Sequence, residues 1–367
     1  MASGFCFSEQ GSGCREYPRL LDCRPAMTTR DRLLVTLADG RFHSGQVLGA
    51  QLGVSRSAIC KHVRAIAALG LDVQAVTGKG YRLARPLELL DANQVLAHCG
   101  DDPAGRPVRL DILYDVDSTN QYLLERVKQG APSGYAVLAE RQRQGRGRRG
   151  REWQSPFGEN IYLSLLWQFG GGIAQASGLT LALGIGVVQA LRDIGLADAA
   201  LKWPNDVVWR DQKIAGVLVE LAGDMSGPCH AVIGIGLNLY LPPAAAQAIT
   251  QPWADVETAL GTRISRNRAA GRLLRHTLHI LERYRHAGLA PFLDEWRQLD
   301  SVCNRAIELH TEAGAVTGIA RGIAADGALI VERDGRRQHF SFGEISLRIA
   351  PPPVRRPDNT RSTRGQL

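Results

Sequence analysis

The run Gln142-Arg143-Gln144-Gly145-Arg146-Gly147-Arg148-Arg149-Gly150-Arg151-Glu152-Trp153 lies between two apolar stretches, residues 135–140 and 161–169, each patterned as a β-strand. Gly145, Gly147 and Gly150 let backbone N–H groups approach a ligand closely. Arg146, Arg148, Arg149 and Arg151 add permanently charged forks that match phosphate oxygens. A nucleotide phosphate chain would fit such a loop. The competing reading is a solvated or RNA-binding Arg-Gly segment. Position favours the first: the run sits inside a folded domain and ends at an apolar anchor, Trp153. So many glycines predict a loop that an anion orders.

Outward from this loop the pattern is α/β. Val108, Leu110, Ile112, Tyr114 and Val116 alternate as a half-buried strand does, and Asp117-Ser118-Thr119-Asn120 offers caps for a helix beginning near Gln121. Further strands are expected at 200–203, 207–209, 214–220 and 231–237, with helices at 177–194 and 266–287. These make a mixed sheet covered by helices. Lys202-Trp203-Pro204-Asn205-Asp206 joins a short strand to a hairpin, and Lys213-Ile214-Ala215-Gly216 opens the returning strand. Two lysines and a carboxylate near one hairpin suit a developing anion, although surface ion pairs are the commoner explanation of such a cluster. Gly234-Ile235-Gly236-Leu237-Asn238 lacks the third glycine and the helix of a dinucleotide fingerprint, so it reads as a strand end with an Asn amide turned toward a ligand. His276 and His279, three apart on a helix with no third ligand in view, read as surface residues.

Before the sheet, residues 27–85 carry nine Lys or Arg against three Asp, most of the excess in a chain whose net charge is +8. Ser44 can cap one helix, Gly53 ends it, and Ser55 caps a second through Ile59, Val63 and Ile66. Two short strands follow around the basic turn at Gly78-Lys79-Gly80. Helix, glycine turn, capped helix and basic hairpin together predict a winged helix-turn-helix whose charge favours an anionic partner: a nucleic acid, a nucleotide or an acidic protein. Pro86 begins a connector. Beyond Asn304, short strands at 307–311, 316–323, 329–332, 338–342 and 346–349 alternate with glycine turns and predict a small β-barrel. Residues 1–26 and 351–367 read as a disordered leader and tail; Met27 is an alternative start.

The 367 residues are 44 % apolar and 22 % charged, which fits several folded domains and excludes a mainly disordered chain. No run of about 18 apolar residues occurs and no secretion signal opens the chain, so a cytoplasmic protein without a membrane partner is expected. Seven cysteines, with no C-x-x-C pair, read as reduced thiols and neither a disulfide framework nor a zinc site.

Ser118-Thr119-Asn120, the loop from Gly145 to Arg151, Lys202-Trp203-Pro204-Asn205-Asp206, Lys213-Ile214-Ala215-Gly216 and Gly236-Leu237-Asn238, in this order, resemble the bifunctional biotin–protein ligase and biotin operon repressor family of bacteria. The likeness runs from about Thr28 to Ile349, with His43-Ser44-Gly45 near one end and Gly343-Glu344-Ile345-Ser346-Leu347-Arg348 at the other. It implies an α+β multidomain fold: a winged helix-turn-helix (27–85), a catalytic domain with a central mixed sheet (86–302) and an SH3-like barrel (303–350). It implies that biotin and ATP form biotinoyl-5′-AMP, which is transferred to a lysine of a biotin carboxyl carrier protein. It further implies Mg²⁺ near Asp206, with no ligand set fixed by the protein alone. Ser118, Thr119, Asn120, Gln142, Arg146, Gly147, Arg148 and Lys213 are the implied biotin contacts. Arg148, Arg149, Arg151, Lys213, Asn238 and Trp253 are those of the nucleotide. Lys213, Asp206, Arg148 and Lys202 carry the implied catalytic roles, Asp206 orienting or deprotonating the incoming lysine. Ser55, Arg56, Ser57, Lys61, Lys79 and Arg82 are the implied DNA contacts, and adenylate binding is implied to favour a homodimer on a two-fold operator. Gln154 departs from the family's aromatic after Trp153, and Cys60 and Arg64 leave the operator sequence open. A lipoate–protein ligase shares the fold, but the Gly-Arg loop and Lys-Trp-Pro-Asn-Asp favour biotin. A sensor without catalysis would need no activated anhydride.

Overall fold

The computed structural model describes residues 27–105, 107–223, 227–311, 314–341 and 346–349. The expected leader 1–26, the tail 351–367 and residues 343–345 of the closing motif lie outside the described residues.

Three helices open the chain: α1 (Thr29–Leu37), α2 (Gly45–Leu52) and α3 (Arg56–Ala67). Each begins where a hydroxyl is available: Thr28 forms a capping box with Asp31, Ser44 caps α2, and Ser55 Oγ accepts the Ala58 N–H. Gly53, at φ 66°, ends α2 in the left-handed region. Strands β1 (Val73–Val76) and β2 (Gly80–Leu83) pair antiparallel as the wing. The wing root meets the helices closely, since a Cβ on Gly80 would lie 2.0 Å from the His43 carbonyl oxygen. Leu33, Leu37, Leu48, Ile59 and Ile66 form the core of this unit. Leu87 and Phe157, from the connector and the loop after Trp153, pack into the same cluster.

The connector contains an unexpected helix, α4 (Ala92–Cys99), capped by Asp91. Next come β3 (Arg109–Leu113), α5 (Thr119–Val127), β4 (Tyr135–Ala139), β5 (Ile161–Phe169) and α6 (Leu179–Asp193). They are followed by β6 (Ala200–Lys202), β7 (Asp206–Trp209), β8 (Gln212–Gly223) and β9 (Cys229–Leu237), then α7 (Pro243–Ala246), α8 (Val256–Leu260), α9 (Arg266–Ala287) and α10 (Leu293–Leu299). The strands form one seven-stranded mixed sheet in the order β3-β4-β5-β9-β8-β7-β6, parallel only between β3 and β4. Alternation along β5 divides the core. Leu163, Leu165 and Phe169 join the cluster built with α6 and α9, whereas Leu166 packs with Leu123 of α5 on the other face. Ile173–Asp193 is long and apolar enough by composition to cross a membrane, with 61 % of that window buried inside the fold. Here it contributes α6, which packs against α9 and the sheet.

Strands β10 (Ala306–Thr311), β11 (Gly314–Ile323), β12 (Leu329–Arg333), β13 (Arg336–Phe340) and β14 (Ser346–Ile349) form an antiparallel sheet in the order β13-β12-β11-β10-β14. Among the described residues β13 and β14 do not pair, so the expected barrel is described as a five-stranded sheet. It is fastened behind the β7–β8 hairpin: Trp203 Nε1 donates to the Gly327 carbonyl at 3.1 Å, and Arg305 grips Asp211 through two bonds of 2.7 and 2.9 Å.

Candidate active site

A cleft of about 480 Å³, part of it open to solvent, lies at one end of the central sheet, lined by the start of α5, the Arg-Gly loop, Trp153, Lys213 and the glycines of β8 and β9. A wider, shallower one adjoins it, walled by residues 143–152 and by Glu220. The strand glycines make room for an aromatic wall. A Cβ on Gly236 would lie 2.3 Å from the Trp153 ring, so only glycine lets the indole lie against the strand.

The cleft floor is a hydrogen-bonded set anchored on α5. Ser118 caps that helix, which therefore begins at Thr119 and not near Gln121 as expected. The Thr119 N–H donates to Gln142 Oε1 at 2.9 Å, and its hydroxyl lies 3.0 Å from the same oxygen. Gln142 Nε2 reaches Ser155 Oγ at 3.3 Å, and Ser155 donates to the Trp153 carbonyl. Asn120 is held between Ser164 and Glu220. Ser118, Thr119 and Asn120 are each at most 3 % exposed, so the polar floor is dry.

Cations stand around it. Lys213 Nζ lies 2.6 Å from Asp206 Oδ1 and 5.3 Å from the centre of the Trp153 ring, so its charge is paired at the cleft mouth. Lys202 is held below the ordinary lysine range. Burial is the main cause, and the Lys213 and Arg151 charges add to it while Asp206 opposes. Arg148 Nη1 donates to Asn205 at 3.3 Å, and Arg146 approaches Glu220 at 3.9 Å. Arg149 sits at φ 59° in the turn Arg148–Gly150, which directs it with Arg151 along the wider cleft.

Asn238 and Trp253 are not among the residues that line the two clefts. Asn238 spends its amide on the Ala254 carbonyl at 3.1 Å, is 5 % exposed and does not line the cleft; it ties the end of β9 to the segment before α8. Trp253 is bridged to the backbone of Lys213 and also lies outside the cleft lining. No group of three or more His, Cys, Asp or Glu side chains that could hold a metal occurs among the described residues. Asp206 is engaged by Lys213 at 2.6 Å.

Residues 112–238 match the Biotin/lipoate A/B protein ligase family, residues 302–348 the Biotin protein ligase C terminal domain, and residues 29–82 an HTH domain. The chain is 43 % identical over 320 residues to the Bifunctional ligase/repressor BirA of Escherichia coli K12, covering 87 % of this chain and 97 % of that one. The chain belongs to the biotin protein ligase family. The BirA protein of Bacillus subtilis is 28 % identical over 319 residues, 86 % of this ligase and 96 % of that chain. Among solved structures, the biotin protein ligase from Aquifex aeolicus in complex with biotin and ATP superposes with a TM-score of 0.56 at 27 % identity, covering 66 % of this ligase and 99 % of that chain.

Sequence reasoning passed over Ser164 and Glu220 of this ligase, which hold Asn120 from behind. The available signal was a lone serine inside the apolar run of β5 and a lone acid inside that of β8. On the winged unit Arg56, Ser57, Lys61 and Lys79 are exposed. Ser55 is occupied as a cap. Arg82 is half-buried, its Nε on Gln74 at 2.8 Å and its guanidinium 4.6 Å from the Phe42 ring centre, which stiffens the wing. His276 and His279 pair with Asp193 and Asp102.

Proposed function

We propose that this ligase activates biotin with ATP, transfers it to a carrier-protein lysine, and acts as a biotin-responsive repressor through its winged unit. The observation that carries the catalytic half is the convergence of a dry hydrogen-bonding floor, a paired lysine and an Arg-Gly loop on one cleft. The floor suits the polar head of an otherwise apolar ligand, and the wider Arg-walled compartment suits a nucleotide.

In the first step a biotin carboxylate oxygen attacks the α-phosphorus and pyrophosphate leaves with the electron pair of the broken P–O bond. Lys213 bridges carboxylate and α-phosphate, and Arg148, Arg149 and Arg151 take up the charge of the phosphates. Their effect is greatest where negative charge develops in a water-poor site. In the second step a neutral lysine amine attacks the acyl carbon and AMP departs; Asp206 orients that amine and accepts its proton, with Lys202 helping to place it. Arg146, Gly147 and Arg148 close over the adenylate and keep water from the anhydride.

Residues 27–85 form the DNA-binding domain in this reading, 86–302 the catalytic domain and 303–350 the closing one. Biotin carboxyl carrier protein is the acceptor, ATP enters with Mg²⁺, and the protein works in the cytosol, consistent with Cys60, Cys229 and Cys303 lying outside any disulfide among the described residues. The loop ordered by adenylate favours a homodimer, and two winged domains on linked half-sites gain affinity without new contacts. Mass spectrometry of a carrier domain incubated with the protein, biotin and Mg-ATP tests the enzyme. The expected gain is one biotinoyl group on lysine, and an unmodified carrier overturns the reading.

A further inference from the structure

Behind the cleft floor four side chains form a row: Glu220, Asn120, Ser164 and Thr119. Asn120 Nδ2 donates to Glu220 Oε2 at 2.7 Å; Asn120 Oδ1 lies 2.6 Å from Ser164 Oγ, which lies 2.7 Å from Thr119 Oγ1. Ser164 is fully buried and Asn120 and Thr119 are each 3 % exposed, so water does not compete for these three, whereas the Glu220 side chain at the end of the row is 28 % exposed. A Cβ on Gly234 would come within 2.5 Å of Asn120 Oδ1; glycine leaves room for the row.

Counting protons gives the row a direction. A carboxylate only accepts, so Asn120 turns its NH₂ to Glu220 and its oxygen to Ser164. Two oxygens 2.6 Å apart need a proton between them, and only Ser164 can supply it. That spends the one proton of Ser164. The contact with Thr119 must then draw on the Thr119 hydroxyl, whose protein partners are Ser164 Oγ and Gln142 Oε1. Thr119, a residue that lines the cleft, is left with hydroxyl lone pairs and no proton to offer a ligand.

We propose that Glu220 is a specificity-determining positioning residue: its carboxylate sets the direction of this hydrogen-bond row so that Thr119 presents an acceptor to a ligand N–H. A cyclic urea carries such donors. A dithiolane ring does not, and would leave a buried acceptor unpaired, which a site built around hydrogen bonds penalises strongly. Glu220 thus favours biotin over lipoate without touching either. Arg146, 3.9 Å from Glu220 Oε1, puts a positive charge beside the same carboxylate.

The inference rests on the ligase reading, and one titration separates the two. Biotin, and the two analogues in which one ureido N–H is replaced by CH₂, are titrated calorimetrically into the full chain. The wild type is expected to prefer biotin over at least one analogue by about tenfold or more. Glu220→Ala is expected to shrink that preference to less than about twofold, while Glu220→Gln, whose amide oxygen still accepts, retains most of it. Asn120→Asp alone sets two carboxylates face to face and loses the preference. Combined with Glu220→Gln it regains it, because the new amide at 220 donates and the new carboxylate at 120 accepts on both sides. A merely structural role would weaken biotin and analogue equally and leave the ratio unmoved. A wild type that binds no biotin overturns the ligase reading and this proposal with it. A wild type that binds biotin while Glu220→Ala keeps the wild-type ratio, or the double variant fails to recover it, overturns this proposal alone.

Discussion

Lys213 has its partners before any ligand arrives: Asp206 at 2.6 Å and the face of Trp153. Its backbone is independently fixed, donating to the Pro252 carbonyl and accepting from Ala254, so removing the side chain leaves the strand in place. Lys213→Ala is therefore expected to lower pyrophosphate release by about a hundredfold or more while the thermal transition stays close to that of the wild type. Turnover at the wild-type rate would remove Lys213 from the mechanism. Gly236→Ala acts on the same indole from the neighbouring strand: its new Cβ must displace Trp153. A loss of adenylate formation with a changed tryptophan emission is the expected result, and unchanged emission would show the wall to be more yielding than its geometry implies. Both lysines and the loop arginines stand out in the sequence as charged groups beside apolar runs, whereas Ser118 and Thr119 read locally only as helix caps and, with Gln142, are marked as ligand contacts only by the family resemblance. Asn238 illustrates the limit. Its motif places it at a strand end, but only the fold reveals that Ala254 takes its amide.

At the scale of elements, legibility follows periodicity. The runs Ile161–Phe169 and Arg266–Ala287 have the bounds expected of them, since one is almost uniformly apolar and the other repeats Leu273, Leu274, Leu278 and Leu281 at helical spacing. Helix α4 escapes because only Val95 and Cys99 are buried in its eight residues. Strand β8 outruns its expected end because β9 pairs with it as far as Gly223, a tertiary fact no local pattern carries. The loop between Trp153 and β5 is equally opaque, yet it contains the most perturbed carboxylate at the junction with the winged unit. Burial pushes Glu159 up to about 7 from an ordinary 4.5, against the opposing pull of Arg85, Arg266 and Arg263. The folded carboxyl thus keeps its proton up to about pH 7, whereas the unfolded chain releases it near 4.5. Between those values the folded state binds more protons, so this group's contribution to stability falls as pH rises. Denaturation of Glu159→Gln across pH 4.5–8 is expected to lack that decline and to match or exceed the wild type above pH 7; parallel pH curves would count against it. Arg85 keeps Glu257 at 2.5 Å and the Tyr240 ring at 3.7 Å in the variant, so the junction is not left with an unpaired cation.

At the scale of the whole molecule, one segment runs from the ligand cleft to the DNA-binding unit. Residues 142–153 wall the cleft, Trp153 seals it, and four residues later Phe157, 2 % exposed, is buried among the helices of the winged core beside Leu87. Glu140 and Arg266 form a buried pair at 2.6 Å behind this segment, and Glu140 also accepts the N–H of Leu90, so the connector is held to the catalytic sheet. A ligand that orders the Arg-Gly loop therefore acts on a chain already anchored at both ends. Between those anchors the loop carries five arginines against one acid, so two such loops repel each other; an adenylate phosphate would offset part of that charge and lower the cost of bringing them together, which is the physical basis for expecting association on adenylate formation. Sedimentation velocity at fixed protein concentration should show the monomer–dimer balance moving toward dimer with biotin plus Mg-ATP and not with either substrate alone. Lys213→Ala supplies the decisive comparison, since it retains the loop but makes the adenylate about a hundredfold more slowly, and when spun directly after mixing should stay at the balance of the ligand-free wild type. A dimer shift of equal size in that variant would mean that substrate occupancy, and not the activated intermediate, orders the loop; no shift in the wild type would detach repression from the ligase cleft altogether.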